Sequence, residues 1–92
     1  MKNRNIASME KIPKENEFLK SSDLSLIATL QLYDYPINAM DRSNPDKIIF
    51  IIKRDAEIED LIQAFWTRQL RVEPIAFFES LKLTKSRIYQ NN

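Results

Sequence analysis

Apolar and polar positions change their period several times along the chain, and each change predicts an element. Glu17-Phe18-Leu19-Lys20 reads as a short first strand. Ser21-Ser22-Asp23 then offers helix N-caps, because a short oxygen-bearing side chain can accept from a free backbone N–H of the first turn. Leu24, Leu26, Ile27, Ala28, Leu30, Leu32 and Tyr33 follow. A helix over this run is apolar around most of its circumference, which predicts burial on several sides. It must stop before Pro36, since the residue preceding proline avoids helical geometry.

Pro36 to Met40 predicts a second, weaker strand. Asp41-Arg42-Ser43-Asn44-Pro45-Asp46 is a run of turn-forming residues and predicts a loop. Lys47 to Lys53 predicts the third strand. Its centre, Ile48-Ile49-Phe50-Ile51-Ile52, is apolar without alternation. Such a run predicts a central strand covered on both faces.

The period then lengthens. Ile58, Leu61, Ile62 and Phe65 fit i, i+3, i+4, i+7, the signature of one helix face. Asp55 is placed to cap this helix. Glu57, Glu59 and Asp60 fall where the helix dipole favours anions, and Arg68 lies at the cationic-favouring end. Leu70-Arg71-Val72-Glu73 predicts an extended link, and Pro74 suits the first position of a last helix. That helix is expected to turn Pro74, Phe77, Phe78, Leu81 and Ile88 to the core and to end near Tyr89.

The predicted order is β-α-β-β-α-α, an α+β fold. With the third strand central, the small, mainly antiparallel sheet has the order 1-3-2. Residues 1–16 hold few large apolar side chains and read as a flexible basic arm. Residues 17–92 read as one domain, as 92 residues allow no second core.

Composition narrows the chemistry by what it lacks. The chain has no His, no Cys and no Gly. Imidazole and thiolate metal sites, the Ser-His-Asp triad and cysteine nucleophiles are therefore impossible. Glycine-dependent phosphate loops and dinucleotide fingerprints are excluded as well. No cofactor is expected. Left-handed backbone positions must fall to other residues, with Asp34, Asn38, Asn44 and Asn16 the expected ones. Fourteen Lys and Arg against 13 Asp and Glu leave a net charge of +1, which disfavours a generally basic nucleic-acid binder. The apolar runs are too short to cross a bilayer, and the N-terminus lacks a signal-type apolar stretch. The expected location is the cytoplasm.

Several residues are candidates for contact with a partner. The loop 41–46 gathers two carboxylates, a guanidinium and a hydroxyl. A phosphate or divalent-metal site is conceivable there, with Arg42 as the cation, although these residue types also simply make turns. Pro45-Asp46 before a strand faintly resembles a metal-nuclease arrangement, but no acid-x-Lys follows on the next strand. Arg71, Lys82, Lys85 and Arg87 concentrate positive charge near the C-terminus. Lys82, Lys85 and Tyr89 share a stripe of the last helix, a pattern able to track phosphates and stack a base. Trp66 lies beside the main face of its helix, where it either seals the core edge or meets a partner.

Taken in order, several segments resemble one family. They are Ser22-Asp23-Leu24-Ser25-Leu26, Asp41-Arg42-Ser43-Asn44-Pro45 leading into Ile49-Phe50-Ile51, Leu70-Arg71-Val72-Glu73-Pro74 with Phe77 and Phe78, and Leu81 with Lys85-Ser86-Arg87-Ile88-Tyr89. Over residues 18–89 the chain resembles small prokaryotic proteins catalogued as domain of unknown function five-six-five-nine. The family pattern carries glycines after the first helix and near the end of the second, where this chain has Asp34 and Arg68. The resemblance implies a small prokaryotic or phage-type protein and brings no activity with it.

The functional expectation is a non-catalytic binding or regulatory module that acts on a protein partner. The alternative is a nucleic-acid-binding accessory protein using the C-terminal basic stripe. A metal-dependent hydrolase built on Asp41 and Asp46 is a distant third. The free edge of the first or second strand is a place where a second copy could pair to give a dimer.

Overall fold

The computed structural model describes residues 17–90. The expected N-terminal arm, residues 1–16, lies outside the described residues, as do residues 91–92. The elements are β1 (Phe18–Ser21), α1 (Leu24–Leu32), β2 (Ala39–Asp41), β3 (Ile49–Lys53), α2 (Ile58–Trp66) and α3 (Pro74–Ile88). This is the α+β order expected, and the sheet runs β1-β3-β2 with both pairs antiparallel. β1 registers Leu19 against Ile52 and Ser21 against Phe50, while β2 sets Met40 against Phe50. No helix among the described residues is long and apolar enough to cross a membrane.

β3 is central, but among the described residues the two faces of its apolar run are not equally buried. Phe50 and Ile52 are buried, whereas Ile49 and Ile51 are only half-buried. Side chains alternate across a strand, so Phe50 and Ile52 face the helices, and Ile48, just before β3, packs against the same core. There Phe50 and Ile52 join Leu26, Ile27, Leu30 and Ile58 in the core. Each such fully buried aliphatic or aromatic side chain contributes roughly 1.5–3 kcal/mol. Ile49 and Ile51 lie on the opposite face, where Ile51 pairs with Lys20 and Ala39, Ile49 with Asp41, and Phe18 with the neighbouring Lys53. The unbroken apolar run thus marks the central strand, with its deeper burial on the Phe50 and Ile52 face.

α1 is the hub. Its residues Leu26 to Leu30 are all buried. Ile27 and Leu30 point into the core with β3, and α3 packs closely along another side of the helix. Asp23 caps α1, its Oδ1 accepting from Leu26 N at 3.1 Å. The helix ends in a Schellman arrangement. Asp34 N donates to Gln31 O, and Tyr35 N donates to Leu30 O. Asp34 takes the left-handed conformation that this ending demands, with φ 71°.

α2 closes the same way. Arg68 N donates to Phe65 O, Gln69 N to Ala64 O, and Arg68 sits at φ 64°. Asp34 was an expected left-handed residue and Arg68 was not. Asn38 and Asn44 do not have positive φ. Asn38 instead holds the edge of β3, accepting from Lys53 N at 2.7 Å. Asn44 makes an Asx turn by accepting from Asp46 N at 2.9 Å.

At the start of α2, Asp55 Oδ1 accepts from Glu57 N and Ile58 N, both at 3.0 Å, the expected capping role. Glu59 pairs with Arg54. At the start of α3, Pro74 is the first helical residue, and Glu73 accepts from Ala76 N at 2.8 Å.

Candidate partner-binding surface on the last helix

α3 packs against α1 through small and polar side chains. Thr84 is fully buried. Its Oγ1 accepts from Gln31 Nε2 at 2.8 Å and donates to Ser80 O at 2.8 Å. Ser80 Oγ donates to Ala28 O at 2.9 Å, a direct bond from one helix to the backbone of the other. Short side chains let the two helices approach closely. The inward face of α3 is therefore Ser80 and Thr84, flanked by Phe77, Leu81 and Ile88.

This sets what faces outward. Successive residues turn by about 100°, so Phe78 cannot share the inward face with Phe77, Leu81 and Thr84. Phe78 is 59% exposed, which corrects the expectation that it is a core residue. Ile75 and Leu83 are 66% and 68% exposed. Ile75, Phe78, Glu79, Lys82, Leu83 and Ser86 recur at three- and four-residue spacing, so they form one outer face. Glu79, Lys82, Leu83 and Ser86 line an open depression of about 430 Å³ on it. Lys82 Nζ stands 5.5 Å from the centre of the Phe78 ring, a cation–π contact.

The sequence-derived candidates divide between this face and other places. Lys82, Lys85 and Tyr89 do lie along one side of α3, together with Phe78, and Tyr89 is 78% exposed at the helix end. Arg42 lies elsewhere, with Nη1 and Nη2 donating to the carbonyls of Ile88 and Arg87 at 2.9 and 2.6 Å. A guanidinium there satisfies the free carbonyls of the helix C-terminus and its negative dipole end. Arg71 precedes α3 and folds back on local carbonyls, those of Leu70 at 3.2 Å and Arg68 at 3.4 Å. Its own carbonyl accepts from Tyr33 Oη at 2.9 Å. Arg87 is half-buried and lies round the helix from Lys82. The cations thus do not gather on one surface, and Glu79 stands beside Lys82. Trp66 is 58% exposed and packs edge-on against Phe65, ring centres 4.9 Å apart.

Ile75 and Leu83 were not singled out from the sequence. The available signal was Ala76, Ser80 and Thr84 at i, i+4, i+8, a row of small residues marking the close-packed side. Once that side is turned inward, Ile75 and Phe78 have to point away from it, while Leu83 lies round the helix towards its edge and is exposed there.

The loop 41–46 is occupied with its own geometry. Asp41 Oδ1 accepts from Ser43 N at 2.9 Å. That bond, with Lys20 nearby, holds the Asp41 carboxyl below its usual range. Among the described residues, no group of three or more Asp and Glu side chains is placed to hold a metal ion.

A second depression, of about 520 Å³, lies between the end of α1 and the start of α2. It is lined by Tyr33, Asp34, Tyr35, Asp55, Asp60 and Leu61 among others. Tyr35 Oη donates to Asp55 Oδ1 at 2.6 Å. That bond pushes the Tyr35 phenol up to about 12 and holds the Asp55 carboxyl below its usual range. Asp55 is thereby committed to Tyr35 and to the first turn of α2.

Comparison with family models, with curated proteins and with solved structures finds no match for this chain.

Proposed function

We propose that this protein is a non-catalytic binding module that regulates or assembles its target through protein contact on the outer face of α3. The observation that supports this reading is the exposure of Ile75, Phe78 and Leu83 together on one helix face. Large apolar side chains grouped on a surface gain free energy when another surface removes them from water. Lys82 and Glu79 among them give the face polar groups with which to select a partner. A cysteine-free chain suits a reducing compartment, so the module is read as cytoplasmic.

The test is site-specific photocrosslinking in the cells that express the chain. A photoreactive residue at Leu83 should give discrete protein adducts that Phe78→Glu removes. The same residue at Asn44, in the loop between β2 and β3, should give none. Equal labelling from both positions would reject the reading.

One observation favours a second reading. Lys82, Lys85 and Tyr89 share one side of α3, as contact with a nucleic-acid backbone would require. Binding to DNA or RNA that weakens linearly with the logarithm of salt, and flattens in Lys82→Ala/Lys85→Ala, would replace the protein partner with a nucleic acid. No binding at low salt would remove this reading.

A further inference from the structure

The outer face of α3 has a symmetry of its own. Its midline is Ile75, Glu79, Lys82 and Ser86, at spacings of four, three and four residues. This is the spacing of a seam that faces one partner helix along its length. Glu79 and Lys82 lie equally far on either side of the Ser80–Leu81 peptide. Phe78 borders one edge of the seam and Leu83 the other.

We infer that the partner of this face is a second copy of the chain, with the two α3 helices antiparallel about a two-fold axis level with the Ser80–Leu81 peptide. The inference rests on the protein-binding reading above and names the protein bound. The axis sets Glu79 of each copy level with Lys82 of the other, giving two equivalent ion pairs. It also sets Ile75 level with Ser86 of the second copy. A two-fold of this kind keeps like edges together. The two Phe78 rings therefore lie along one edge, offset by about 7.5 Å along the axis. The two Leu83 side chains lie along the other edge at the same offset. Apolar side chains thus border the charged centre on both sides, where they limit its contact with water.

Charge complementarity selects this occupant. A parallel pair would set Glu79 level with Glu79 and Lys82 level with Lys82, so the charges fix the direction as well as the register. The net charge of +1 leaves two copies with little general repulsion. Helix pairing alone buries less than roughly 1,200 Å² in total, the weak end of specific interfaces. The dimer is accordingly expected to form and dissociate reversibly, with a dissociation constant in the micromolar range or above.

Sedimentation equilibrium of the full chain, from about 1 μM to 1 mM, tests this. The wild type should show a reversible monomer–dimer equilibrium. Glu79→Lys and Lys82→Glu should each raise the dissociation constant roughly tenfold, since two attractive pairs become two repulsive ones. The double variant Glu79→Lys/Lys82→Glu should restore it. An equimolar mixture of the two single variants should do so too, each supplying the charge the other lacks. Both positions are exposed, and circular dichroism confirms that the variants fold. A wild type that stays monomeric throughout, or a dimer indifferent to the reversals, overturns the inference. In that event adducts from Leu83 with a different protein would leave the proposed function standing, and their absence would remove both.

Discussion

Tyr35 and Asp55 show how one hydrogen bond ties two elements and sets two ionisations. Tyr35 follows the end of α1, and Asp55 precedes α2. The phenol donates to a carboxylate oxygen that also accepts from Glu57 N and Ile58 N. Each partner favours the protonation state in which the bond is made. Because the folded Asp55 pKa is depressed, its stabilising effect is present above the ordinary carboxylate range and is lost as the pH falls through the folded value. Because the Tyr35 pKa is raised from 10.0 to about 12, its effect is complete below the ordinary phenol value and is lost as the pH rises through about 12. Tyrosinate absorbance should therefore contain a component near pH 12 that Tyr35→Phe lacks. If the variant keeps that component, the assignment to Tyr35 is wrong. The sequence disclosed half of this arrangement. Asp55 before a periodic apolar run announces a cap, but nothing in the spacing says that a tyrosine from another element shares it.

At the scale of elements, α1 and α2 both end on a left-handed residue in a chain without glycine. Asp34 tolerates this conformation better than most residues, because its short polar side chain bonds locally. Arg68 has no such advantage. Arg68→Gly should remove the clash between Cβ and the backbone and raise stability by roughly 0.5–1 kcal/mol. Chemical denaturation would read this as a higher midpoint with an unchanged slope, and a lower midpoint would contradict it. Helix starts were legible because their caps are written locally, in Asp23, Asp55 and Pro74. The end of α2 was less so, since an arginine carries no left-handed signal. The inward face of α3 was misread for a different reason. Its identity depends on how close α1 comes, and Ser80 and Thr84 register that approach through hydrogen bonds rather than through hydropathy. The same dependence explains Phe78, whose outward position follows from the close approach of α1 to the other side of α3.

For the molecule as a whole, element order and sheet order were legible because each element is short and bounded by turn residues. The unequal burial of the two sheet faces was not, since an unbroken apolar run carries no sign of which side packs more deeply. β1 has one further property. Among the described residues it pairs with one strand, β3, which it reaches across all of α1 and β2. β2 and β3, by contrast, meet across a short loop. Closing the longer loop costs more chain entropy before any contact repays it. The rate-limiting ensemble is therefore expected to hold α1 against the β2–β3 hairpin with β1 still detached. Leu19→Ala should then quicken unfolding and leave the refolding rate nearly unchanged, while Ile52→Val should slow refolding. Stopped-flow chevrons of the two variants separate these outcomes, and a slowed refolding arm for Leu19→Ala would place β1 in the nucleus instead. A strand that joins last on the way in also leaves first on the way out. The first opening of this protein would bare the edge of β3, so its tendency to aggregate would follow the fit of β1 more than its overall stability.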